Sequence, residues 1–217
     1  MFVTLQAHEY HKYPVLMDRM FRLRKEVFAD QLEWDVSVEN GRERDFYDEK
    51  MPVYLVWCNE ERTVLYGSMR LMPTTGPTLL YDVFRRTFPV ELSLSAPGIW
   101  EGTRMCIDQD ALARDYPNID PGRAFSLMFL ALCECALDHG IHTMISNYEP
   151  QMKLIYRRAG VDVHELGRAD GYGKRPVCCG MFEVSDAVLS RMQSKLGISS
   201  TLYHKNGRHP DPIELAA

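Results

Sequence analysis

Long hydrophobic runs are missing from this 217-residue chain. The longest apolar stretch, around residues 125–132, is well short of the roughly 20 residues that span a bilayer, so neither a membrane protein nor a membrane partner is expected. Cysteines at metal or redox spacing are missing too. The six fall at Cys58, Cys106, Cys133, Cys135 and the adjacent Cys178 and Cys179 without a C-x-x-C motif, and Cys135 with His139 finds no second ligand pair. This argues against a disulfide scaffold and a zinc site. No secretory pattern precedes Tyr10, and the chain reads as reduced and cytoplasmic. Basic charge is scarce: 25 Lys and Arg against 30 Asp and Glu leave a net charge of −5. Phosphate backbones are gripped by concentrated positive charge, so no nucleic-acid partner is expected. Internal repeats and low-complexity segments are absent as well.

What remains is ordinary globular composition, 46% hydrophobic and 25% charged, in a length that one core can serve. We expect a single domain over residues 1–197 and a mobile tail over 198–217, where Asn206-Gly207 and His209-Pro210-Asp211-Pro212 interrupt any pattern. Periodicity predicts an edge strand over 1–5, a helix over 15–28 and a structureless polar loop over 29–51, long enough to be a lid. Strands are predicted over 53–57, 64–71 and 99–107, the second turning Tyr66, Ser68 and Arg70 to one face. Asp120-Pro121 opens a buried helix that Gly140 ends. Later elements alternate: strand 141–146, helix 150–159, strands 161–166 and 176–184, and a helix capped by Ser185. A mixed sheet with helices on both sides suits a three-layer α/β/α sandwich, although the pattern leaves other α/β folds open.

Charged residues beside aromatics form the most informative pattern. Arg24 and Phe28 lie four apart on one helix and so share a face. Trp34, Asp45 and Asp48 follow in the loop, then Arg70 in Gly67-Ser68-Met69-Arg70-Leu71, then Trp100-Glu101-Gly102-Thr103-Arg104. Charges on an apolar strand are costly unless paired, and the set reads as a pocket for a small molecule carrying both charges. Glu101 and Arg104, three apart, would face opposite ways in a regular strand; a bulge at Gly102 is expected to return both to one cleft.

In order, Arg24-x-x-x-Phe28, Trp34, Asp45-x-x-Asp48, Gly67-x-x-Arg70, Phe84 and Glu101-x-x-Arg104 resemble the acyl-homoserine-lactone synthases. The likeness is strong over the first half and continues more weakly through Cys106-Ile107-Asp108, His142-Thr143-Met144-Ile145-Ser146 and Arg157-Arg158-Ala159-Gly160. It implies a GNAT-like acyltransferase fold and two substrates, S-adenosylmethionine and an acyl thioester on acyl carrier protein or coenzyme A. The family acylates the α-amine of S-adenosylmethionine, closes a lactone and releases methylthioadenosine. S-adenosylmethionine is then a co-substrate, and no prosthetic group or metal is implied.

On that resemblance Arg24 is expected to grip the substrate carboxylate in a fork, Phe28 and Trp34 to cover adenine and sulfonium, and Asp45 and Asp48 to hold the amine, with Arg104 completing the set. Glu101, kept ionised by Arg70 and Arg104, is the expected base, and the catalytic set is Glu101, Arg70, Asp45 and Asp48. Phe84, Met105, Thr143 and Ser146 are expected around the acyl chain, with Met72, Met128 and Met144 as adaptable walls. Lys153 and Arg157, one helical turn apart, match the basic surface that docks the acyl donor in the family. Two rivals stay open. An acetyl-coenzyme A N-acetyltransferase would need a phosphate loop, yet Ile119 stands where Arg or Gln belongs before Gly122-Arg123-Ala124. The other is a ligand-binding module without turnover.

Overall fold

The computed structural model describes residues 1–205. One mixed sheet is built from β1 (Phe2–Leu5), β4 (Val53–Cys58), β5 (Leu65–Pro73), β6 (Ile99–Ile107), β7 (Thr143–Tyr148), β8 (His164–Ala169) and β9 (Val177–Glu183), in the order β1-β4-β5-β6-β7-β9-β8. Its ladders are antiparallel apart from β6–β7, which is parallel. Two short strands, β2 (Val38–Glu39) and β3 (Arg42–Glu43), pair separately. On one face of the sheet lie α1 (Pro14–Arg24) and α2 (Leu79–Asp82); on the other lie α3 (Gln109–Asp115), α4 (Pro121–Asp138), α5 (Met152–Ala159) and α6 (Asp186–Leu196). The three-layer α/β/α sandwich predicted from the sequence is the fold observed.

Strand alternation divides the core between the two faces. In β4, Tyr54, Val56 and Cys58 meet α1, whereas Leu55 and Trp57 meet the α4 layer, as the period of two requires. Helix α4 starts where its sequence says it should. The Asp120 carboxylate accepts the N–H groups of Gly122 (2.8 Å) and Arg123 (3.1 Å), with Pro121 in the first turn. Just past its end Gly140 takes φ +68°, a left-handed conformation that costs glycine little.

The structure departs from expectation at several points. Helix α1 stops at Arg24, and the chain continues as a π-helical stretch, Lys25–Gln31. The supposedly structureless loop holds β2, β3 and a 3-10 turn, Phe46–Lys50. Helix α3 and the 3-10 turn Ala7–Lys12 were not foreseen, because each is too short to display a period. Tyr66 is the extra residue of a bulge, since Cys58 pairs with Leu65 and Trp57 with Gly67. It therefore turns to the α4 layer, where its hydroxyl donates to Asp115, while Ser68 and Arg70 keep the opposite face.

Residues 198–205, assigned on sequence to a mobile tail, pack against the body. Leu202 and Tyr203 are buried, their N–H groups both donate to the Glu134 carboxylate at 2.8 Å, and Tyr203 bridges to Phe2 of β1. Residues 206–217 of that expected tail lie outside the described residues. Among the described residues no helix is long and apolar enough to cross a membrane, and all six cysteines are free and buried.

Candidate active site

Three arginines and three carboxylates close into a ring beneath the face that carries α1. Arg24, the last residue of α1, donates from Nε to Glu43 (2.5 Å) and from Nη1 and Nη2 to both oxygens of Asp48 (2.8 and 2.9 Å). Arg70 in β5 reaches Asp48 (3.0 Å) and both oxygens of Asp45 (2.5 and 3.1 Å). Arg104 in β6 completes the circuit, with Nε on Glu43 and Nη2 on Asp45, each at 3.1 Å. Each charge thus has partners of opposite sign on both sides, the condition under which buried ions are tolerated. The carboxylates hold their own backbone as well. Asp45 accepts the Tyr47 N–H and Asp48 the Asp45 N–H, a reciprocal cap that fixes the 3-10 turn. Burial opposes the charge of Asp48, but Arg24, Arg70 and the Tyr54 hydroxyl hold its carboxyl well below the ordinary value.

Arg24 is consequently not where the sequence reading put it. At 1% exposure, with its fork on Glu43 and Asp48, it cannot grip a substrate. It supports the turn that holds Asp45 and Asp48. Arg104 is the guanidinium that faces the cleft, and its Nη1 makes no hydrogen bond among the described residues. Arg70, Asp45 and Asp48 belong to the ring and do not line the cleft.

Arg104 reaches this face through a bulge. Ser68 pairs with Cys106 and Arg70 with Thr103, so Met69 alone stands opposite Arg104 and Met105. Arg104 takes φ +56°, unusual for a residue with a side chain and characteristic of a strained functional position. Irregular pairing was expected at Gly102, yet Gly102 pairs regularly with Leu71. The bulge lies two residues later and has the expected effect: Arg104 joins Glu101, Thr103 and Arg70 on one face.

Beside the bulge the sheet opens. The parallel ladder of β6 and β7 runs only from Ile99–Thr143 to Glu101–Ile145. Past it the Ser146 hydroxyl donates to the Gly102 carbonyl at 2.8 Å, and the strands part. A cleft of about 430 Å³ passes through the gap. On the ring face it is bordered by Phe28, Trp34, Leu79, Phe84, Thr103 and Arg104, and on the other by Met69, Met105, Phe125, Phe129, Ser146 and Tyr156. Phe28 and Trp34 pack at 5.2 Å, with Arg104 over Phe28 at 5.2 Å. The Trp34 indole N–H approaches Glu149 of the opposite limb at 3.4 Å, and the neighbouring Glu33 pairs with Lys174. A second cavity of about 50 Å³, lined mainly by apolar side chains from α4, α6, β7 and β9 and bordered also by Ser146 and Glu183, lies behind Gly102.

Glu101 differs from expectation in its partners. Neither Arg70 nor Arg104 pairs with it, because the ring acids hold both. Its carboxylate instead accepts the N–H groups of Leu79 (3.1 Å) and Leu80 (2.6 Å) at the start of α2. Burial dominates, and against the pull of those donors and of the arginine charges the group is pushed up to about 7. Glu101 is therefore poised between its two forms near neutrality, not firmly ionised.

The expected acyl-chain residues divide. Met105 and Ser146 line the cleft on the α4 side. Phe84 sits on the ring face against Tyr172 (5.0 Å). Thr143 borders neither cavity and bonds His142 at 3.0 Å. The reason is strand period: Thr143 and Ser146 are three apart and point to opposite faces of β7. Met144 lines the small cavity, while Met72 is on the ring face and Met128 borders neither cavity. On α5, Lys153 is paired with Glu165 and Arg157 is exposed. Sequence reading overlooked Glu43, Thr103, Glu149 and Met69. Of these, only Glu43, alternating with Asp45 in Arg42-Glu43-Arg44-Asp45, left a trace. Among the described residues no cluster of three or more His, Cys, Asp or Glu is arranged to hold a metal.

A mixed sheet whose parallel pair parts over a two-faced cleft, with a buried carboxyl beside it, defines a GNAT-like acyltransferase. Within that class the chain belongs to the autoinducer synthase family, whose profile matches residues 8–192. It is 42% identical over 154 residues, 70% of each chain, to an acyl-homoserine-lactone synthase of Rhizobium etli. To one of Rhizobium radiobacter it is 31% identical over an alignment of 223 residues, covering 99% of each. The solved structure of a coenzyme A-dependent acyl-homoserine lactone synthase, BjaI, with S-adenosylmethionine and isopentyl-coenzyme A, superposes with a TM-score of 0.81 at 26% identity, covering 96% of this chain and 94% of that one.

Proposed function

We propose that this chain makes an N-acyl-L-homoserine lactone from S-adenosylmethionine and an acyl thioester, with methylthioadenosine as by-product. The observation that carries the reading is the passage between β6 and β7, which offers a cationic and aromatic wall to one substrate and an apolar recess to the other. Arg104 takes the carboxylate of S-adenosylmethionine, and Phe28 and Trp34 cover its sulfonium and adenine through cation–π attraction and stacking. The ring behind, with Arg24 and Glu43 as its anchors, fixes Arg104 and Asp45. Asp45 is the ring acid with some exposure, 15% of its side chain, and lends negative charge from behind the wall that the ammonium meets.

The ammonium must lose a proton before it can attack. Glu101, next but one to Thr103 on the cleft wall, takes that proton through a water, and a group titrating near 7 suits the task. The amine attacks the thioester carbonyl, a C–N bond forms, the C–S bond breaks, and the thiol leaves with a proton. The substrate carboxylate then attacks its own γ-carbon; a C–O bond forms as the carbon–sulfonium bond breaks, and methylthioadenosine departs neutral. Proximity is the chief demand of this second step, because a sulfonium is already a good leaving group.

Likeness to a coenzyme A-dependent relative favours coenzyme A as carrier, and Lys153 and Arg157 are the residues that would meet either its phosphates or an acidic carrier protein. The reaction would run in the cytoplasm, where both substrates are made. An acetyl transferase reading accounts less well for the apolar recess, since an acetyl group would leave it unfilled. The test is incubation of purified protein with S-adenosylmethionine and a panel of acyl thioesters, with lactones identified by mass. Absence of methylthioadenosine with every donor would refute the reading.

A further inference from the structure

The main cleft and the small apolar cavity share five bordering residues, Met69, Gly102, Phe129, Ser146 and Tyr156. These form a throat, and Met69 stands in it. A β-carbon on Gly102 would lie 2.2 Å from the Met69 methyl and 3.4 Å from that of Met144, so the Met69 side chain fills the space that Gly102 leaves open. The β5–β6 bulge explains the arrangement. Met69 is the single residue opposite Arg104 and Met105. The irregularity that turns Arg104 to the ring face thus leaves Met69 on the α4 face, over the passage.

The geometry points to Met69, seated on Gly102, as the gate that sets acyl-chain length, restricting this enzyme to short acyl groups of about four to six carbons, a size that follows from comparing the small cavity with one that holds benzene. The inference rests on the function proposed above and narrows its substrate. The space behind the throat is about 50 Å³. An engineered apolar cavity of about 150 Å³ holds the six carbons of benzene, so this one takes about two carbons. The carbonyl and the next one to three carbons lie in the main cleft and throat, which together with those two makes about four to six. The walls beyond are mostly apolar, Leu132, Val161, Val188 and Met192 among them, with Glu183 at their border. A longer chain would have to displace Met69, whose unbranched thioether can swing but is held at 4% exposure in a packed core.

The test is a length series. Saturated acyl groups from butanoyl to dodecanoyl, each on coenzyme A and on an acyl carrier protein, are offered with S-adenosylmethionine to the wild type, Met69→Leu, Met69→Ala and Gly102→Ala. Methylthioadenosine release gives kcat/KM. The wild type should be most active at four or six carbons and at least tenfold weaker at ten. Met69→Leu, similar in volume, should keep that maximum, whereas Met69→Ala should move it at least two carbons longer with the KM for S-adenosylmethionine unchanged. Gly102→Ala, which crowds Met69 into the throat, should lose hexanoyl before butanoyl. A wild-type maximum at ten carbons or more, or an unmoved maximum in a folded Met69→Ala protein, overturns the gate while leaving lactone synthesis intact. No release with any thioester overturns both.

Discussion

Arg24 and Asp48 are joined by two parallel hydrogen bonds, Nη1 to one carboxylate oxygen at 2.8 Å and Nη2 to the other at 2.9 Å, with Arg24 1% and Asp48 5% exposed. The pair links the end of α1 to the turn that shapes the active site. Removing one member of such a buried pair strands the other, at a cost of about 3–5 kcal/mol. Arg24→Ala should therefore lower unfolding free energy by that order, measured by urea denaturation, and abolish turnover because Asp45 and Arg104 lose their support. Arg24→Lys should recover only part, since a single ammonium cannot span both Glu43 and Asp48.

The Glu101 carboxyl gives a pH prediction of definite sign. Its value in the folded protein, about 7, lies above the ordinary 4.5. Its contribution to stability is therefore complete below about 4.5 and is lost as pH rises through 7. Activity runs the other way, because the base must be ionised. The kcat/KM profile should show an acid limb near pH 7, and Glu101→Gln should be inactive throughout. Urea unfolding at pH 5 and 8 should show the wild type losing more stability than Glu101→Gln between these values. An acid limb near 4.5 would contradict the assignment.

Trp34 offers a test on the ring face. Its indole packs against Phe28 at a tilt of 36° and bridges to Glu149. A cation–π contact contributes about 0.5–2 kcal/mol, so Trp34→Ala should raise KM for S-adenosylmethionine by about 2- to 30-fold. Trp34→Phe should restore most of that affinity. The KM for the acyl donor should stay near the wild-type value.

Glu134 tests the packed segment that follows α6. Ending the chain at Gly197 would leave a buried carboxylate without the Leu202 and Tyr203 N–H groups and would remove the buried side chains of Ile198, Leu202 and Tyr203. The expected loss is about 3 kcal/mol or more, read as a lowered Tm. Glu134→Gln in the shortened chain should recover some of it, because the stranded group is then uncharged.

Much of the fold was legible because its signals are local. The Asp120-Pro121 start of α4, the strand over 99–107 and the Ser185 cap all appear as predicted. The set of site residues was legible as well, since unpaired charges on apolar strands are improbable. Their roles were less so. Arg24 was mistaken for a ligand because its partner Glu43 comes from a two-residue strand with no periodicity of its own. Thr143 was grouped with Ser146 although a spacing of three divides them between faces.

By itself the sequence determined the elements, the burial pattern and the charge inventory, because capping chemistry and hydrophobic period act over a few residues. Tertiary structure decided which charges neutralise one another and which remain for a substrate. Three arginines look alike along the chain, and only the packing of β3, the 3-10 turn and the bulge seals two of them and turns the third, Arg104, toward the cleft. The same holds for Glu101, whose readiness to take a proton comes from the burial that α2 imposes and from no property of its neighbours in sequence.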